Sequence, residues 1–161
     1  MKQNSIVPAQ EISGYKLDWT FDELKKHLKS NYTVEKHKYC WVVYYENFSF
    51  WLNTQIGKIT QIGVTGNFNG TFNGTGIGST LLDVKQKFGN WKEGLDVYQI
   101  PQYEGICFEL ADNDEDEEWI QEIAPIESIY VFNPETTNTN IDIVFDTVNQ
   151  QYIDKRAIIT E

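Results

Sequence analysis

The sequence predicts an α+β protein: two tandem helix–three-strand repeats, an antiparallel sheet with helices on one face, and extra C-terminal strands. Three observations predict it. Residues 17–28 (LDWTFDELKKHL) and 77–88 (IGSTLLDVKQKF) align at an offset of 60, position by position. The alternating runs ENFSFWL and EGICFEL align at an offset of 58. The runs ITQIGV and IESIYV align at an offset of 67. A fixed-period self-similarity of this kind marks a repeated supersecondary unit.

Each element has its own justification. In the first pair, Phe21, Leu24 and Leu28, and Leu81, Val84 and Phe88, recur at the i, i+3, i+7 spacing of one helical face. Thr20 or Ser79 can serve as N-cap, and Gly89 as the stop of the second helix. Residues 39–45 (YCWVVYY) and 97–100 (VYQI) read as the first strand of each copy. Phe48, Phe50 and Leu52 alternate along the next strand, and Ile106, Phe108 and Leu110 do so in its counterpart. Trp51 then points away from that face. Ile59, Ile62 and Val64, matched by Ile126, Ile129 and Val131, supply the third strand. The chain therefore divides into repeat one (about 15–66), an Asn/Gly-rich linker (67–76), repeat two (about 77–132) and a C-terminal extension (133–161) within a single domain. The extension carries strand-like residues 141–146 and 152–159, an unpaired edge that offers a route to a homodimer.

Composition bounds the function. The chain has 161 residues, 40% of them apolar and 14% aromatic, enough for one folded core. Neither a signal peptide nor an apolar run of membrane-spanning length is visible, so a cytoplasmic location is expected. Cys40 and Cys107 sit in apolar strands and are expected to be reduced. His27 and His37 lack the spacing of a zinc site. No nucleophile elbow, phosphate-cradling loop or dinucleotide fingerprint is present, and the single arginine, Arg156, argues against recognition of several phosphates. The expectation is a protein without enzymatic activity, cofactor or metal.

The net charge is −11, and it is lopsided. Residues 93–154 hold sixteen carboxylates and no Lys, Arg or His. Such a field repels nucleic acid and anionic lipid and attracts cationic partners. Within it, residues 111–125 read ADNDEDEEWIQEIAP, nine residues longer than the corresponding turn of the first repeat. Insertions of this kind fall in exposed loops, where binding residues concentrate. Asp112, Asp114 and Asp116 imitate a calcium loop, but Glu117 and Ile123 occupy the positions that need Gly and Glu. The candidate partner-binding residues are Asp112, Asp114, Glu115, Asp116, Glu117, Glu118, Trp119 and Glu122, with Tyr103 and Glu104 nearby in sequence. Trp119 is either an interface anchor or tucked, with Ile120 and Ile123, back onto the sheet.

The segment GIGSTLLDVKQKFG resembles the Gly-x-Ser/Thr-x-x-x-Asp/Glu-Val segment of the β-lactamase inhibitory protein superfamily. The resemblance covers about residues 15–132. It implies tandem helix-plus-sheet units that present an acidic and aromatic surface to an enzyme. The small, acidic, Lys/Asn/Ile-rich chain also resembles immunity proteins of bacterial polymorphic or contact-dependent toxin systems. That likeness implies occlusion of a cognate, basic, nuclease-type toxin. A small-ligand or glycan-binding module that uses sheet aromatics such as Trp51 and Tyr98 is the second expectation.

Overall fold

The computed structural model describes residues 4–29, 31–94, 96–111 and 119–134. Strands β1 (Ile6–Val7), β2 (Glu11–Ile12) and β3 (Tyr15–Lys16) form a small antiparallel sheet, followed by helix α1 (Phe21–Lys25). A meander follows: β4 (Thr33–Lys36), β5 (Cys40–Tyr45), β6 (Phe48–Asn53) and β7 (Lys58–Thr65). The hairpin β8 (Thr71–Phe72) and β9 (Thr75–Gly76) leads to helix α2 (Leu81–Phe88). A second meander comprises β10 (Lys92–Glu93), β11 (Tyr98–Gln99), β12 (Ile106–Leu110) and β13 (Ile126–Phe132). The two meanders join through their last strands, which gives one eight-stranded antiparallel sheet ordered β10-β11-β12-β13-β7-β6-β5-β4.

The α+β expectation is corrected by this architecture. The described residues are mostly β, and the two helices among them are only five and eight residues long. Each meander has four strands, where three were expected, and the layer over the sheet is not a helical one. Two hairpin units share that layer with α1 and α2: Ile6, Ile12, Phe68 and Phe72 join Leu24, Leu81 and Val84 in the main core cluster. The amphipathic spacing misled for a physical reason. Leu17, Trp19 and Ile77, ahead of the helices, are apolar because they pack on the core, but they do so from non-helical backbone that braces the sheet. The backbone N–H of Asp18 donates to Ile59 (2.8 Å) and that of Ile59 donates to Trp19 (2.8 Å). Gly78 and Ile126, then Ile126 and Ser79, make the same bonds at 2.9 and 2.7 Å. The helices begin only after these joints. Thr20 caps α1 with Glu23 and Thr80 caps α2 with Asp83, two capping boxes that satisfy otherwise orphaned N–H groups. Gly89, with φ 88°, ends α2.

Residues 71–76, read from sequence as part of a linker, form a hairpin that mirrors β2–β3. Ser13-Gly14 and Asn73-Gly74 turn with φ 52° and 85°, and 50° and 84°. Two successive positive φ values are the requirement of a two-residue turn that matches strand twist.

The strand ladders repeat in register. Phe50 faces Ile62, and Phe108 faces Ile129. A bulge falls between Trp51 and Leu52, and another between Glu109 and Leu110. Alternation then sorts the side chains. Phe50, Leu52, Ile62, Val64, Ile106, Phe108, Ile129 and Val131 fill the main core under the helices and hairpins. Cys40, Val42, Trp51, Val97, Cys107, Tyr130 and Phe132 form a second cluster on the opposite face. Burying each large apolar side chain contributes about 1.5–3 kcal/mol, so the first face carries most of the stability. Both cysteines are buried, and no disulfide joins them. The strand-like stretches 141–146 and 152–159, and any dimer edge they make, lie outside the described residues.

At the centre of the sheet, Gly63 of β7 pairs directly with Tyr130 of β13. These positions correspond to each other at the offset of 67, so the pseudo-twofold relation between the meanders passes through this pair. A Cβ on Gly63 would lie 2.7 Å from the Tyr130 ring and 2.7 Å from Ser49 Oγ. The absent side chain lets the tyrosine ring lie across the strand.

Candidate functional site

Two surfaces have the composition of binding sites. The first is the edge beside residues 119–124. Its loop is pinched at the base: Ala111 N donates to Pro125 O at 2.8 Å, and Trp119 Nε1 donates to Ala111 O at 2.8 Å. One helical turn follows, closed by Ala124 N to Ile120 O at 2.9 Å. That turn buries Ala124 and leaves its larger neighbours out. Trp119 is 38% exposed, Ile120 49% and Ile123 55%. Leu82 of α2, itself 49% exposed, donates its N–H to Glu122 O at 3.2 Å, which places it beside this stretch.

The edge is acidic. Gln121 Nε2 donates to Glu93 Oε1 and to the Tyr98 hydroxyl, tying the turn to β10 and β11. Burial holds the Tyr98 hydroxyl above its ordinary range. The Gln121 bond opposes this, and the carboxylates of Glu93, Asp96 and Glu122 add to it. Three carboxylates thus act on one phenol, and the run Asp112, Asp114, Glu115, Asp116, Glu117 and Glu118 adjoins Trp119 in sequence. That run lies outside the described residues.

The sequence-predicted residues do not all meet. Trp119 and Glu122 share the edge at the end of β12. Tyr103 and Glu104 precede its start, separated by a five-residue strand of roughly 17 Å. Tyr103, 40% exposed, packs edge-on against Phe72 (4.9 Å) and Phe88 (5.7 Å). It belongs to the hairpin layer.

The second surface is a groove of about 310 Å³ on the face opposite the helices. Tyr44, Ser49, Trp51, Thr65, Glu109 and Tyr130 line it, with Glu46 and Glu127 among its other lining residues. Strand register brings these together: Tyr44 pairs with Ser49, Ser49 with Gly63, and Gly63 with Tyr130. Trp51 meets the Tyr130 ring edge-on at 5.6 Å, and Tyr130 donates its hydroxyl to Glu109 Oε1 at 3.1 Å. Burial, then the carboxylate of Glu35, pushes the Tyr44 hydroxyl far above its ordinary range, so it is neutral. The Trp51 indole N–H is buried without a hydrogen-bond partner. Tyr98, expected beside Trp51, belongs instead to the main core.

Sequence reasoning singled out Trp51 but not Tyr44, Ser49, Gly63, Glu109 or Tyr130. The available signal was the doubled offset. Applied to register, it sets Gly63 opposite Tyr130. No group of His, Cys, Asp or Glu suited to hold a metal occurs among the described residues, nor is any helix there long and apolar enough to cross a membrane.

No family model and no curated protein matches the chain. Among solved structures, it is similar to the crystal structure of the uncharacterized protein yfeY from Escherichia coli. The identity is 13% and the TM-score 0.48, over 81% of this chain and 99% of that one. Nothing about function follows from that likeness.

Proposed function

We propose that the chain is a non-enzymatic inhibitory binding protein, of the immunity-protein kind, that acts in the cytoplasm by covering a cationic surface of a cognate protein toxin. One observation carries this reading. Trp119, Ile120 and Ile123 form an exposed apolar set on a turn held by hydrogen bonds, within a segment that lacks any basic residue, and the exposed Leu82 of α2 lies beside them. Large exposed apolar groups with polar surroundings mark interaction sites. The bond from Trp119 to Ala111 fixes the indole in advance, which lowers the ordering cost of binding. The carboxylates steer a basic partner and raise the association rate more than the final affinity. A nuclease, whose phosphate-binding cleft is basic, suits this field.

The experiment is co-purification of the full chain from its native host, followed by binding kinetics with the protein recovered. A single basic protein in stoichiometric amount is expected. Trp119→Ala should weaken it by about thirtyfold or more, the scale of a hot spot, without changing thermal unfolding. Neutralising the run 112–118 should slow association and remove its salt dependence. An affinity for Trp119→Ala within threefold of the original would exclude this edge as the interface.

A further inference from the structure

We propose that the sheet face opposite the helices is the docking surface of the chain's own C-terminal segment, residues 135–161, which crosses it from the end of β13 towards β4. This contact is independent of the edge at Trp119.

Strand register sets the path. Phe132 of β13 pairs with Gln61, Gln61 with Trp51, Trp51 with Val42, and Val42 with Glu35 of β4. Directly paired residues share a face, so these five form one row across five strands. Phe132, Gln61, Trp51 and Val42 are between 0 and 8% exposed. Neither the Trp51 indole nitrogen nor the Gln61 amide nitrogen is open to solvent. Side chains on one face stand side by side, so they shield each other's flanks but not their tips. Large rings such as Trp51 and Phe132 therefore need a layer above them. Among the described residues no element supplies it. The helices and hairpins pack into the main core, and every member of the second cluster comes from the sheet itself or from Val97, just ahead of β11. The next row gives the contrast. Tyr130, Gly63, Ser49, Tyr44 and Thr33 follow in register, yet Ser49 and Tyr44 are only half-buried and Thr33 is exposed. The cover lies over one row and stops at the groove.

These exposures belong to a single chain, so the cover is part of that chain. Residues 1–3 adjoin Asn4, whose N–H donates to Ser13 Oγ (3.0 Å) in the hairpin layer. Residues 112–118 belong to the loop that Ala111 and Pro125 close at the far end of β13. Residues 135–161 alone begin beside the row, just past Phe132. The row is four strand spacings wide, about 19 Å. Residues 141–146 (IDIVFD) reach about 20 Å when extended. In an extended chain Ile141, Ile143 and Phe145 fall on one side, opposite Asp142 and Asp146, which suits a segment with apolar side chains beneath it and water above.

The test uses the full chain. In nuclear Overhauser spectra the ring protons of Trp51 and Phe132 should contact side chains within 135–161. In a mixture of isotope-labelled and unlabelled chains those contacts should stay within one chain. Rings that contact only residues 4–134 would overturn the proposal. So would contacts that arise only between chains, which would make the face an interface between two copies. The second measurement is labelling of Cys40, a buried neighbour of Val42 in the same cluster, with a thiol reagent. Combining Ile143→Asp with Phe145→Asp should speed that labelling by about tenfold or more while circular dichroism stays unchanged, because the cover opens without the sheet unfolding. An unchanged rate in the folded variant would also sink the proposal. If the variant fails to fold, the Overhauser contacts of the unaltered chain decide.

Discussion

The two meanders share their ladder and differ at one connection. Residues 54–57 join β6 to β7, whereas residues 111–125 join β12 to β13. The difference leaves the surrounding architecture intact. Ile59 and Ile126, at the start of the last strand in each half, receive the same pair of hydrogen bonds from the segment before the helix. A longer loop costs little once its ends are fixed, because closure entropy grows only slowly with length. The scaffold is therefore set by the joints, and the chemistry is free to vary between them.

The strongest way to break this comparison is through the core residues the halves have in common. Phe50 and Phe108 occupy corresponding positions and are both fully buried. Phe50→Ala and Phe108→Ala should each cost about 3–5 kcal/mol in urea unfolding. Each variant should still unfold in one transition, because one cluster spans both meanders. Two separated transitions would show halves that are stable alone.

Next is the pair at the centre. Gly63→Ala should cost about 1–3 kcal/mol, since its Cβ meets the Tyr130 ring and Ser49. Adding Tyr130→Ala to it should cost less than the sum of the single changes, a positive coupling measurable by a double-mutant cycle.

Ser49 and Cys107 also correspond, and here the halves separate by pH. Burial, then the charge of Glu109, pushes the Cys107 thiol far above its ordinary range. The unfolded thiol loses its proton above about pH 8.5 while the folded one keeps it, so stability falls as pH rises. Between about pH 8.5 and 10, below the range in which tyrosines ionise, the slope should approach about 1.4 kcal/mol per pH unit, and Cys107→Ala should remove it.

The smallest effects concern the two caps. Thr20→Ala and Thr80→Ala should each cost about 1 kcal/mol in thermal unfolding. Hydrogen bonds from the Thr20 backbone and hydroxyl hold the Glu23 carboxyl below its ordinary value. Its contribution is thus present above the usual carboxylate range and fades as pH falls through the lowered value. A Glu23→Gln chain should lose that acid-side response.

The sequence carried the doubling and the face on which each strand residue lies. Phe48, Phe50 and Leu52 are separated from Trp51 by alternation alone, and the clusters agree. The fold class was misread because twelve residues with helical spacing include a brace that is not helical. The hairpins were missed because strands of two residues leave no periodicity, although Asn73-Gly74 is itself a hairpin turn signal. Of the candidate edge, Trp119 was legible as an aromatic in a charged insertion. The groove was not, because Tyr44, Trp51 and Tyr130 meet only through cross-strand register, which no single segment encodes.

The Gly63–Tyr130 pair has a consequence for how such a sheet can come about. Two identical chains meeting across a twofold axis would place the same residue on both sides of this point. Two tyrosines would compete for one space, and two glycines would leave it empty. Once both copies are written into one gene, each position mutates separately, and one side can shrink as the other grows. The asymmetry that seats the Tyr130 ring is thus open to a fused duplicate and closed to a symmetric dimer.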